Sequence, residues 1–227
     1  MLKAILFDCD GVIADSEGLH LSLFQQLLEE LGVRLTKEQY YASYLAMDDK
    51  ACFRTALKDN GKPVSEEQIQ ELVGRKTALY KQAASRNLVI FPGVVEFVMA
   101  AAQKYPLAVA SGALKEEVLL MVDTAGLRQY FDVFVAAEDV TRGKPAPDAY
   151  LKAMELLNRA CPGKDIRPAD CLVVEDSKHG IASAHAAGMK CLAVCTSYPV
   201  EALSAADKIV PYLTAAKLSD LEALFRA

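Results

Sequence analysis

No stretch of the sequence is apolar over the roughly 18 residues that a membrane helix needs. The N-terminus offers a single Lys3 and then four apolar residues before Asp8, too short for the core of a signal peptide. Export and membrane anchoring are therefore not expected. Positive charge is in deficit as well: 25 Lys and Arg stand against 30 Asp and Glu, giving a net charge of −5. That balance argues against a general affinity for nucleic acid or an anionic membrane, and it means that an anionic substrate needs locally placed cations. Internal repeats, low-complexity tracts and charged tails are absent too, so a disordered chain is not expected. Cysteine is present but unclustered. Cys9, Cys52, Cys161, Cys171, Cys191 and Cys195 are scattered, several of them inside apolar runs. They read as small hydrophobic packing residues in preference to disulfides or metal ligands, which fits the reducing cytoplasm.

With 227 residues, 52% of them hydrophobic and 24% charged, the chain suits one globular domain or two unequal ones. Short apolar runs recur at 4–7, 107–110, 133–137, 172–174, 192–194 and, more weakly, 209–210, and most are separated by segments of helical periodicity. Strands alternating with helices predict a parallel sheet covered on both faces. Residues 15–90 are the exception, for no strand is evident there. This region opens with Leu19, Leu23, Leu27 and Leu31 recurring every four residues, with Ser16 as N-cap and Gly32 at the stop. Further helical patterns cover 37–46, 50–58 and 65–86, with turns at Asn60-Gly61 and Pro63. The expected fold is α/β: a Rossmann-like parallel sheet core formed by residues 1–14 and 90–227, with a small all-helical cap domain, residues 15–89, inserted after the first strand.

Ligands of open parallel sheets bind at the carboxyl ends of the strands, so the residues that end each apolar run matter. The first run ends in Asp8-Cys9-Asp10, the second in Ser111-Gly112. The third is followed by Glu138-Asp139 and Arg142-Gly143-Lys144-Pro145, the fourth by Glu175-Asp176-Ser177. Each has a plain structural reading. Asp and Gly suit a strand-to-loop turn, Ser111-Gly112 a helix start at 113–123, Lys144 a solvated loop, and Glu175-Asp176-Ser177 the cap of a helix at 178–187. Four such deliveries to one sheet edge make those separate explanations weak together.

Such a cluster suits phosphoryl transfer. A carboxylate can attack phosphorus and form an aspartyl phosphate once the repulsion between the anions is offset. Mg²⁺, held by one or two carboxylates, does this, and Asp8 and Asp176 can supply them. Lys144 adds a fixed positive charge, and Ser111 with backbone N–H groups can hold the remaining phosphate oxygens. Asp8 and Asp10, two residues apart, project to the same side of an extended chain. Asp8 would be the nucleophile, and Asp10 would protonate the leaving alkoxide and later deprotonate water. Gly11 permits the sharp departure between them.

Asp8-Cys9-Asp10-Gly11-Val12, Ser111-Gly112, Lys144-Pro145 and Glu175-Asp176-Ser177 resemble, in order and spacing, the four motifs of the haloacid dehalogenase superfamily. The helical insertion after the first motif is similar to that of its subfamily with a small helical cap, which includes β-phosphoglucomutase and many sugar-phosphate phosphatases. The resemblance covers the core and, more loosely, the cap. It implies that Asp8 is the nucleophile and a Mg²⁺ ligand, that Asp10 is the acid/base with its carbonyl on the metal, and that Ser111, Gly112 and Lys144 bind the phosphoryl group. Glu175 and Asp176 would hold Mg²⁺ directly or through water. Asp10 favours phosphate chemistry over carbon–halogen cleavage. Val12 replaces the family's usual Thr, as it does in the mutases.

A mutase needs cap cations for a second phosphate. The Lys-Gly pair that the mutases carry is missing from Tyr44-Leu45-Ala46-Met47-Asp48-Asp49-Lys50, where Asp48 and Asp49 would repel that phosphate unless Lys50 or Arg54 dominates. His20 matches a mutase histidine and reads equally as a structural side chain or as a substrate or hinge contact. A signalling receiver shares the acids, hydroxyl and lysine, but Asp10 beside the acceptor promotes turnover over storage. The expectation is a cytoplasmic, Mg²⁺-dependent phosphatase of a small phosphorylated metabolite, a sugar phosphate, acting as a monomer or weak homodimer.

Overall fold

A computed structural model describes residues 1–44 and 47–226, without the side chains of 85–87. In chain order the elements are β1 (Ala4–Phe7), β2 (Ala14–Asp15), α1 (Glu17–Glu30), α2 (Lys37–Gln39), α3 (Asp49–Asp59), α4 (Glu66–Asn87), β3 (Val89–Ile90), α5 (Val94–Ala102), β4 (Leu107–Ala110), α6 (Lys115–Thr124), β5 (Val133–Val135), α7 (Asp148–Ala160), β6 (Cys171–Glu175), α8 (Lys178–Ala186), β7 (Lys190–Val194), β8 (Lys208–Val210) and α9 (Leu218–Ala223). They form two compact units, Met1–Asp15 with Val89–Ala227, and Ser16–Leu88.

The first unit is built on a six-stranded sheet in the order β5-β4-β1-β6-β7-β8, with every neighbouring pair parallel. β1, β4 and β6 are buried along their whole length, which is why they read as unbroken apolar runs and not as alternating ones. Their side chains still alternate between faces. Ala4 and Leu6 of β1 join a core with Ala108, Val173, Tyr150 of α7 and Ile181 of α8. Phe7 points the other way, edge-on to Phe97 of α5 at 6.1 Å and to Phe131 at 5.6 Å. Burying one such aliphatic or aromatic side chain stabilises the fold by about 2 kcal/mol.

From β1 the chain moves outward to β4 and β5, then returns to the far side of β1 to lay down β6, β7 and β8. The loops after β1 and β6 consequently leave in opposite directions, and a crevice opens between them at the carboxyl edge. The strand expected at 133–137 stops at Val135. Beyond it, Asp139 Oδ2 accepts the Ala136 N–H at 2.9 Å and Ala136 O accepts the Asp139 N–H at 3.0 Å, closing a short 3₁₀ turn. The region expected to be strand-free yields the two-residue strands β2 and β3, paired antiparallel as Ala14 with Ile90 and Asp15 with Val89. Asp15 and Val89, which the sequence assigned to the insertion, thus belong to the first unit. Two residues carry no periodicity to read.

In the second unit α1 buries Leu21, Leu23, Phe24, Leu27 and Leu28, while Leu31 is exposed. A spacing of four advances about 40° per step on a helix of 3.6 residues per turn, so the 19–23–27–31 stripe walks off the buried face. The helix expected at 37–46 is α2, set by a reciprocal Thr36–Gln39 capping box, followed by a π-helical turn at Tyr40–Tyr44; residues 45 and 46 lie outside the described residues. Asp48 caps α3 by accepting the Ala51 N–H at 2.8 Å, and Ser65 and Gln68 form the capping box of α4. Among the described residues no helix is long and apolar enough to cross a membrane.

Candidate active site

The backbone N–H of Asp8 bonds to Val174 O at 3.0 Å, so Asp8 extends β1 by one residue at the switch point of the sheet, between β4 and β6. The chain then folds back on itself, with Cys9 O accepting the Ile13 N–H at 2.8 Å and Gly11 N–H bonding Ala14 O at 3.0 Å. Gly11 is dictated twice. Its φ is +74°, and a Cβ there would stand 1.9 Å from Asp176 Oδ2. Thr196, beyond β7, donates its hydroxyl to the Gly11 carbonyl. Asp10 sits in this turn, bridged to Ala14.

Ser111 follows β4 and is buried; its N–H continues the ladder to Val135 O at 3.0 Å, and its Oγ accepts from Ala113 N–H at 3.1 Å. The helix itself begins only at Lys115. Ser111 therefore closes the turn before it and keeps its own O–H to donate, whereas its backbone N–H is already used. Gly112 lies in the same turn, with open space where a Cβ would be.

Lys144 is no solvated loop lysine. Its side chain is 12% exposed, and Nζ lies 2.6 Å from Glu175 Oε1, 2.9 Å from Asp8 Oδ1 and 4.9 Å from the Tyr150 ring centroid. Glu175 is wholly buried at the end of β6; Asp176 follows it, also buried, and Ser177 caps α8. Sequence-expected Asp8, Lys144, Glu175 and Asp176 thus come together, and Asp8, Glu175 and Asp176 each offer an oxygen within 4.8 Å of the others.

Burial above all pushes the Asp8 carboxyl up to about 7; Lys144 pulls against this rise, while Glu175 and Asp10 add to it. Burial also works against the Lys144 charge, but Asp8 and Glu175 outweigh it and hold the ammonium above its usual range. Glu175 is lowered despite its burial, chiefly by Lys144. Three buried carboxylates lie together and two of them share one ammonium, an excess of negative charge that a divalent cation would balance. Asp8 Oδ1, buried and paired with the Lys144 ammonium at 2.9 Å, is a hard oxygen donor suited to such a cation.

His20 belongs to the helical unit. Its Nδ1 lies 2.7 Å from Nζ of Lys76, its ring stacks on Tyr80 at 4.6 Å, and the fully buried Lys76 ammonium also pairs with Asp49 at 2.6 Å. Asp48 is occupied as a helix cap, and Arg54 is paired with Glu66 at 2.7 Å. Asp49 is therefore compensated locally and does not act as the bare repulsive charge expected. Three residues of the core site were not foreseen. Tyr150 donates its hydroxyl to Glu175 at 2.7 Å, Gly180 leaves room for the Glu175 carboxylate, and Thr196 holds Gly11. A lone aromatic on a helix, a helical glycine and a threonine in a loop give no chemical signal in sequence. Only the ordering of motif and strand end could have pointed to Thr196.

A family model described as haloacid dehalogenase-like hydrolase matches residues 5–194. Protein CbbY of Rhodobacter capsulatus is 32% identical over 223 residues, covering 95% of this chain and 95% of its own. A phosphorylated carbohydrates phosphatase of Thermotoga maritima is 29% identical, covering 83% of each chain. The crystal structure of CbbY from Rhodobacter sphaeroides in complex with phosphate superposes with a TM-score of 0.83 at 26% identity, over 95% of this chain and 96% of that one.

Proposed function

Because the chain belongs to the haloacid dehalogenase-like hydrolase family, we propose that it is a phosphoric monoester hydrolase of a small phosphorylated metabolite, a sugar phosphate, working through an aspartyl phosphate on Asp8. The observation that carries this reading is the meeting of Asp8 with Lys144, 2.9 Å apart at the switch point of the sheet, beside Glu175 and Asp176. A relative that is a phosphatase of phosphorylated carbohydrates and a similar structure holding phosphate support the substrate class.

Asp8 and Asp176 would hold Mg²⁺, with the Asp10 carbonyl. When bound, the cation offsets the negative charge that otherwise keeps a carboxylate from a phosphate. Asp8 attacks phosphorus, and the bond to the leaving oxygen breaks as Asp10 gives that oxygen its proton. Lys144 and the Ser111 hydroxyl bind the oxygens of the transferring group. Asp10, now ionised, takes a proton from water, which attacks the aspartyl phosphate and releases phosphate. Burial keeps bulk water from Asp8 in the first step.

Hydrolysis is favoured over phosphate return to the sugar. Arg54 is committed to Glu66 and Lys76 to Asp49 and His20, so neither is offered to a second phosphate. Asp10, an acid/base two residues from the acceptor, favours turnover over a stored phosphoprotein. The six free cysteines fit a reducing, cytoplasmic setting. The test is Asp8→Asn. Mg²⁺-dependent release of phosphate from an aryl phosphate should fall to background while circular dichroism is unchanged. Undiminished turnover by that variant would refute the assignment.

A further inference from the structure

The Glu175 carboxylate, expected as a metal ligand, has its lone pairs taken within the protein. Oε1 accepts from the Lys144 ammonium at 2.6 Å and the Tyr150 hydroxyl at 2.7 Å. Oε2 accepts from the Asp176 N–H at 3.0 Å, the Ser177 N–H at 3.1 Å and the Ser177 hydroxyl at 3.0 Å. A carboxylate has about four lone-pair sites, and these donors fill them. Its whole side chain is buried, so water does not compete. Glu175 is thus placed to direct Lys144 more than to bind a cation.

Tyr150 is the member of this set with no other reason to carry a polar atom. It lies in the apolar core, fully buried, between Ala149 and Ala153 of α7. A phenylalanine would pack there equally, and a buried hydroxyl is costly unless bonded. Its hydroxyl meets the same oxygen that holds the lysine, and its ring faces the ammonium. We propose that Tyr150 is a positioning residue: its hydroxyl fixes the plane of the Glu175 carboxylate, which in turn directs the Lys144 ammonium onto the phosphoryl group at Asp8. The inference rests on reading Asp8 as the phosphoryl acceptor.

Tyr150→Phe keeps the ring and removes the fixing bond. Two quantities are measured for the wild type and the variant: steady-state hydrolysis of an aryl phosphate across a range of Mg²⁺, and the Kd of inorganic phosphate by calorimetry at saturating Mg²⁺. The variant should lose about tenfold in kcat, in line with the removal of other supporting hydrogen bonds behind a reactive group. Its phosphate affinity should fall in parallel, with the Mg²⁺ concentration for half-activation essentially unmoved. A protein that was merely destabilised would lose active fraction while the Kd of the remainder stayed the same. Wild-type kcat and phosphate affinity in the variant would overturn the proposal. So would an equal loss of Mg²⁺ affinity, which would return Glu175 to the metal. If the wild type binds phosphate but hydrolyses no monoester, the hydrolase reading fails and the phosphate affinity of the variant still decides this one. If it binds none, both fail.

Discussion

Gly180 stands in the first turn of α8 with the Glu175 carboxylate pressed against it, and a Cβ there would lie 1.7 Å from the carboxylate carbon. A single methyl must therefore push Glu175 off five donors. Gly180→Ala should cost about 2 kcal/mol, the usual scale for overpacking a core, even though alanine is the better helix former. Gly74, exposed in the interior of α4, meets nothing within 4 Å. Gly74→Ala should instead stabilise by about 1 kcal/mol. Urea unfolding of the two variants gives both signs, and equal shifts would contradict the contact argument. At this scale the candidate site residues stood out in the sequence because polar groups at the ends of apolar runs are uncommon: Asp8, Asp10 and Ser111 stand where such runs stop, and Lys144 lies in the loop after the next one. Tyr150 and Gly180 did not, because an aromatic or a glycine in a helix has an ordinary explanation until its neighbour is known.

The strands of the parallel sheet were readable because burial on both faces leaves unbroken apolar runs. β2 and β3 are too short to leave any pattern, and α2 yields to a π-helical turn after three residues. The helical elements hold one arrangement that periodicity hides, for Lys76 of α4 is fully buried over the Phe24 ring and paired with Asp49 at the start of α3. Removing one member of a buried ion pair strands the other charge, at about 3–5 kcal/mol. Asp49→Ala should therefore destabilise the helical unit by about that amount. Adding Lys76→Met to it should recover most of the loss, since the orphaned charge goes with the lysine. Thermal unfolding of the single and double variants measures the cycle; a double variant no better than Asp49→Ala would show that the pair is not what holds these helices.

Across the whole molecule the sheet separates its duties by edge. The carboxyl ends of β1 and β6 carry Asp8 and Glu175. Just before β6 begins, the buried Asp170 gathers Arg167 at 2.9 Å, the N-terminal amine at 3.6 Å and Lys3 at 3.9 Å. Its hydrogen bond to Arg167, above all, holds the Asp170 carboxyl below its ordinary range. A lowered carboxyl contributes stability that is present above its unfolded pKa, about 3.9, and disappears as pH falls through the folded value. The urea midpoint should therefore drop on acidification below about pH 4, and less steeply in Asp170→Asn. Hydrolysis at neutral pH should be unaffected by that variant, because Asp170 lies at the amino end of β6. A variant with an unaltered acid limb would remove Asp170 from the account. The α/β class and the inserted helices were readable from the alternation of strands and helices and its interruption after residue 15. The exact seam was not, because Asp15 and Val89 reveal their partnership only as neighbours in space. That seam makes the insertion a cassette: a strand pair that brings Ala14 beside Ile90 lets residues 16–88 be lengthened, shortened or exchanged during evolution without moving either splice point.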